Sequence, residues 1–168
     1  MKKLICFALT CYTACAHSGV IGDWIDGEFD DGEPYVMSLG RNNTAIWKSC
    51  DHTDATCTWR VGLVTSCEAG ASYPALINSD SGASQHTLQC EGKITVSGNA
   101  IYRYSISNPD AIDTAVSSGS TLGVVYPLAG GNFQVVRFAT KLGAAAVKKL
   151  AEAYKSPPKK AILKGSVL

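Results

Sequence analysis

Four cysteines, Cys50, Cys57, Cys67 and Cys90, fall in the body of this chain, and no two of them form the C-x-x-C knuckle of a zinc site. In an oxidising compartment four thiols pair into two disulfides, which tie distant backbone together before any core is considered. Three connectivities exist. Cys50–Cys57 with Cys67–Cys90 is preferred, because Cys50-Asp51-His52-Thr53-Asp54-Ala55-Thr56-Cys57 reads as a closed loop between two strands. His52 and His86 complete a set of zinc-type ligands, but crosslinking is the stronger expectation, so neither a metal nor another cofactor is expected.

The other three cysteines, Cys6, Cys11 and Cys15, point to the compartment. Met1-Lys2-Lys3 is a charged start, Leu4 to Cys11 is apolar, and Ala14-Cys15-Ala16 supplies the small residues at which a signal peptidase cuts. Residues 1–16 therefore read as a signal peptide. Cleavage after Ala16 leaves a soluble chain, whereas cleavage before Cys15 leaves a cysteine open to lipidation. Tyr12 stands where a lipoprotein box has an aliphatic residue, which favours the soluble form. The apolar run is far shorter than the ~20 residues of a membrane span. The expected location is the periplasm or the medium, with an outer-membrane lipoprotein as the alternative.

The remainder suits one domain over 17–156 followed by a basic tail over 157–168. With 15 basic and 14 acidic residues the net charge is only +1, but the charges are segregated. Asp23, Asp26, Glu28, Asp30, Asp31 and Glu33 crowd one end, and Arg137, Lys141, Lys148, Lys149, Lys155, Lys159, Lys160 and Lys164 the other. The two runs read as solvated faces or as neighbours in space that attract each other. Interleaved aromatics are missing from the basic end, which argues against nucleic acid.

Short alternating segments between turn residues predict a mainly β fold, an antiparallel sandwich or barrel-like domain. The strands expected are Trp24–Phe29, Tyr35–Leu39, Ala45–Ser49, Thr58–Ser66, His86–Cys90, Lys93–Val96, Ile101–Ser107, Leu122–Leu128 and Phe133–Phe138. Asp31-Gly32 and Gly40-Arg41-Asn42-Asn43 suit hairpins, because Asp, Asn and Gly tolerate positive φ. Asn108-Pro109-Asp110 is an N-cap followed by a first-turn proline and an acid, so a short helix is expected near 109–117. A second, near 140–155, presents Val147, Leu150, Ala151 and Tyr154 on one face and ends at Pro157-Pro158.

Glu68 to Ser84 reads instead as a long polar stretch with an apolar island at Ala75-Leu76-Ile77. Its residues Tyr73, Asn78 and Asp80 are the candidate binding loop, since a disulfide-held loop loses little entropy on docking. Asp26 to Gly32 resembles a calcium loop only in composition. Placing Asp26 first puts Asp31 where an EF-hand requires glycine and Met37 where it requires glutamate. His52 or His86 could serve as a base for a serine among Ser79 to Ser84, yet G-x-S-x-G, S-x-x-K and H-E-x-x-H motifs are all missing, and no catalytic residue is expected.

Gly22-Asp23-Trp24, Cys50 and Cys57 followed by Trp59, Tyr73-Pro74-Ala75-Leu76-Ile77-Asn78-Ser79-Asp80, and Phe133–Phe138 leading into an Ala/Leu/Lys helix together resemble small exported proteobacterial proteins. More distantly they are similar to the invasion-associated locus B family, periplasmic or surface proteins linked to host-cell entry. The resemblance covers about residues 22 to 155 and implies a β-sandwich or barrel-like domain, with no catalytic signature to carry over. The function expected is a non-enzymatic module acting through surface loops on a protein partner in the envelope or on a host surface. The alternative is an inhibitor or immunity-type partner of an envelope hydrolase. A lysozyme-inhibitor signature would place a tyrosine three residues after the serine of Ser-Gly, and Ser81-Gly82 has Ser84 there.

Overall fold

A computed structural model describes residues 19–96, 99–128 and 130–155. The expected signal peptide with Cys15, and the expected basic tail over 157–168, lie outside these residues. Among the described residues ten strands form one antiparallel sheet: β1 (Gly19–Ile21), β2 (Trp24–Glu28), β3 (Pro34–Leu39), β4 (Ala45–Asp51), β5 (Thr56–Leu63), β6 (Ser72–Ser79), β7 (Gly82–Val96), β8 (Asn99–Ile106), β9 (Thr121–Pro127) and β10 (Phe133–Ala139). Their order across the sheet is β1-β2-β3-β4-β5-β8-β7-β6-β9-β10. The helices are α1 (Pro109–Ser118) and α2 (Gly143–Lys155).

The sheet curls into an open, barrel-like form, and both helices pack one face against its inner side. Near its closure, the Ser38 hydroxyl donates to the carbonyl of Ala139 at 2.7 Å, linking β3 to β10. Alternation decides what faces inward. On β3, β4 and β5 the inner positions are Val36 and Ser38, Ile46, Lys48 and Cys50, and Trp59, Val61 and Leu63, all buried. Trp24 meets Trp59 edge-to-face with ring centroids 5.9 Å apart. α2 lies against β2, β3, β4 and α1 through Ala146 and Leu150, and α1 contributes Ile112, Ala115 and Val116. Gly143 opens α2 where the helices touch, and a Cβ there would overlap the backbone and side chain of Val116.

Both disulfides are present. Cys50 and Cys57 face each other across β4 and β5, and Cys67–Cys90 ties the β5–β6 connection to β7. The larger loop of the second contributes about 3 kcal/mol through loop-closure entropy, the smaller about 2 kcal/mol. No helix among the described residues is long and apolar enough to cross a membrane.

Three local expectations need correction. Residues 72–79, read from sequence as loop, form β6 between β7 and β9. Polar residues at outward positions and Pro74 concealed the alternation of Tyr73, Ala75 and Ile77. Proline is tolerated because the ladder to β9 begins only at Leu76. Second, His86–Cys90 and Lys93–Val96 are parts of one strand, β7, interrupted by a bulge between Cys90 and Gly92. Gly92 accommodates the bulge at φ +108, a conformation unfavourable for side chains. Third, α2 begins at Gly143 rather than Thr140, whose N–H bonds Ser120 and prolongs the β9–β10 pairing. β1, of three residues, is too short to show an alternating pattern.

The segregated charges meet in part. Asp26 on β2 pairs with Lys149 of α2 at 2.7 Å, and the Asp23 carboxylate accepts the Lys141 N–H at 2.9 Å. The acid-rich strand and the lysine-rich helix thus meet in an ion pair, and the segments just before each are joined through the Lys141 backbone.

Candidate binding surface

The fold separates Tyr73, Asn78 and Asp80. Tyr73 points inward, meeting Tyr104 edge-to-face with ring centroids 6.1 Å apart. Asp80 sits in the β6–β7 turn, where its carboxylate accepts the Ser120 N–H at 2.8 Å and braces the start of β9. Asn78 and Asp80 are both exposed, whereas Tyr73 is half-buried. The three residues therefore form no common loop.

Tyr73 belongs to a tyrosine cluster. The Tyr104 hydroxyl donates to the Thr65 carbonyl at 2.9 Å, while the Thr65 hydroxyl lies 3.1 Å from that of Tyr126. Burial, reinforced by Tyr73, Tyr126 and Tyr102, pushes the Tyr104 pKa up to about 12. Burial also raises that of Tyr126, with the Thr65 hydrogen bond opposing it. An unfolded tyrosine ionises near pH ~10, so the Tyr104 contribution is intact below that pH and is lost as pH rises toward 12. The loss is about 1.4 kcal/mol per pH unit. Urea midpoints measured from pH 9 to 12 are expected to fall steeply for the native chain and less steeply for Tyr104→Phe. Equal slopes would show that Tyr104 is not the group responsible.

The serine-histidine proximity weighed from sequence does exist. Ser84 Oγ is 2.8 Å from His86 Nε2, and His86 Nδ1 is 2.8 Å from the Ser107 carbonyl. A carbonyl can only accept, so Nδ1 carries the proton and Nε2 accepts from Ser84. The imidazole is 3% exposed and no carboxylate orients it. Ser84 lies within a strand rather than on a strand-to-helix elbow. The arrangement satisfies both nitrogens of a buried histidine. His52, the other histidine considered, stacks on Tyr154 with ring centroids 4.9 Å apart, holding the disulfide hairpin to the end of α2.

Sequence reading passed over a second polar cluster. Lys48 projects from the inner face of β4 and meets Asp113 of α1 at 2.6 and 2.8 Å, and the Trp59 indole N–H donates to the same carboxylate at 2.8 Å. A lysine in an alternating strand looks like a solvent position, and only the helix packed over it supplies the counter-charge.

The outer face carries the surface features. Toward β3–β5, Phe29, Met37, Leu39, Trp47 and Ile101 line a hollow of about 390 Å³, with the buried Trp47 and Ile101 among its walls. At the opposite end, Leu76, Val125 and Val135 stand directly opposite one another on β6, β9 and β10, with Phe133 and Pro127 in the next row. Leu76 is 48% exposed, Val135 44% and Phe133 70%. Single exposed apolar residues are ordinary, but adjacent ones on three neighbouring strands make a patch. Alternation in β9 and β10 contains this signal, although only the strand order shows that the residues adjoin.

A solved structure described as invasion associated protein B from Bartonella henselae has a similar fold, with a TM-score of 0.60 at 12% identity, covering 83% of this chain and 99% of that one. No protein-family profile and no curated protein sequence matches the chain. The fold is thus the one implied by the sequence resemblance, and the two disulfides are compatible with export.

Proposed function

We propose that this chain is an exported envelope protein that works without catalysis, by binding another protein. The observation carrying the reading is the exposed apolar patch of Leu76, Val135 and Phe133. A contiguous patch of this kind on a small disulfide-stapled domain is characteristic of an interaction surface. The similarity to an invasion-associated protein supports the same direction, and the leader-like residues 1–16 support export. Binding is thereby assigned to a sheet face instead of to surface loops.

The test is chemical crosslinking of the purified, oxidised protein in envelope extract, comparing the native chain with Leu76→Glu/Phe133→Glu. Both positions are exposed, so the melting temperature is expected to stay within a few degrees. A specific crosslinked partner is expected with the native chain and is expected to disappear with the variant. Undiminished crosslinking of that partner to the variant would remove the patch as the binding surface.

A further inference from the structure

We propose that the seam where the barrel fails to close is a strand-acceptor groove, which binds an extended acidic segment of a partner protein by β-addition. The inference deepens the binding reading above and rests on it. Among the described residues β10 ends the sheet and pairs only with β9. Ser38 pins β3 to Ala139, but β3 stops at Leu39 and the chain turns away through Arg41, Asn42 and Asn43. Beyond the pin, β10 faces a groove of about 450 Å³.

Two hydrogen bonds fix which backbone groups face this groove. The Thr140 N–H turns toward Ser120 at the start of β9, and the Ala139 carbonyl turns the other way, to Ser38. In a strand, the N–H and C=O of alternate residues point to the same edge, so Val135 and Arg137 present theirs to the seam. The four consecutive residues Gln134 to Arg137 line the groove, as a backbone edge does. At about 3.3 Å per residue that edge matches an added strand of about four or five residues. Unpaired strand edges are the template for such addition.

The walls select the sequence that fits. Val64 and Val135, each 44% exposed, offer apolar contacts, and Arg41 and Arg137 are the charged residues lining the groove. Among the described residues neither arginine takes part in an ion pair. An extended guest alternating aliphatic and acidic side chains meets both features. The chain's own segment after α2 is unsuited, since Lys159, Lys160 and Lys164 repeat the charge of the groove.

The experiment is fluorescence anisotropy with a labelled hexapeptide of alternating glutamate and valine, titrated with the native chain. Saturable binding is expected. Val135→Pro removes an edge N–H without removing a ladder bond, and is expected to weaken binding about tenfold or more, as is Arg41→Glu/Arg137→Glu. The same peptide N-methylated at alternate amides tests the backbone bonds without altering the protein, and it is expected not to bind. Amide exchange at Val135 and Arg137 is expected to slow on binding. Absence of saturable binding, or equal binding of the N-methylated peptide, would overturn strand addition. A native dimer that Val135→Pro dissociates would also overturn the proposal, assigning the groove to a second copy. If the peptide fails while Leu76→Glu/Phe133→Glu still abolishes crosslinking, the groove falls and the binding patch stands.

Discussion

Replacing Asp113 with alanine is expected to destabilise the protein by about 3 kcal/mol, because it strands two groups at once. Lys48 keeps its charge on the inner face of β4 with a side chain only 11% exposed, and the Trp59 indole loses its acceptor. Breaking a buried ion pair from one side costs ~3–5 kcal/mol. The low end applies here because the Asp113 side chain retains contact with solvent. Removing both charges together as Lys48→Met/Asp113→Asn is expected to cost much less, since the amide still accepts from Trp59 and no unpaired charge remains. Urea unfolding followed through tryptophan fluorescence measures each corner of the cycle. A cost for Asp113→Ala below ~1 kcal/mol would place the pair effectively in solvent.

Leu150→Ala is expected to cost about 3 kcal/mol, within the ~2–5 kcal/mol range for buried leucine, and to do so without altering the exposed apolar patch on the outer face of the sheet. Leu150 is buried where α2 meets the barrel and α1, so truncation leaves a cavity lined by rigid strands that cannot collapse to fill it. Val147→Ala, a partly buried neighbour on the same helix, is expected to lose roughly half as much. The readout is the urea midpoint under non-reducing conditions. If Leu150→Ala is silent, α2 contributes little to the core, and the barrel must be stabilised by the sheet and disulfides alone.

The element types could be read where a single local signal was strong. Asn108-Pro109 predicts α1, and Asn108 indeed accepts from the Ala111 N–H at the helix start. Val147 and Leu150 announce the apolar face of α2 through their spacing. β6 shows the limit of such reading. Its inward residues are ordinary strand formers, but the outward Ser72, Pro74 and Asn78 belong to a loop vocabulary, and the strand is held between β7, which follows it across the Asp80-Ser81 turn, and β9, which is distant in sequence. Tyr73 and Asn78 lie close in sequence yet point to opposite faces of the sheet, because strand residues alternate, and Asp80 stands in the turn beyond them.

Local chemistry, then, was enough to establish the β class, the helix positions and the cysteine content, since alternation, capping and thiol number act over a few residues. Strand order was not accessible in this way. Whether Leu76, Val125 and Val135 form a patch, whether Lys48 finds Asp113, and whether β10 is left with an open edge all depend on which strands become neighbours. That choice arises when a curling sheet packs on two helices and brings β3 to β10 at Ser38 and Ala139. The physical reason is that cross-strand pairing and burial are long-range terms, fixed by the sum of contacts over the whole barrel and written in no single stretch of the chain.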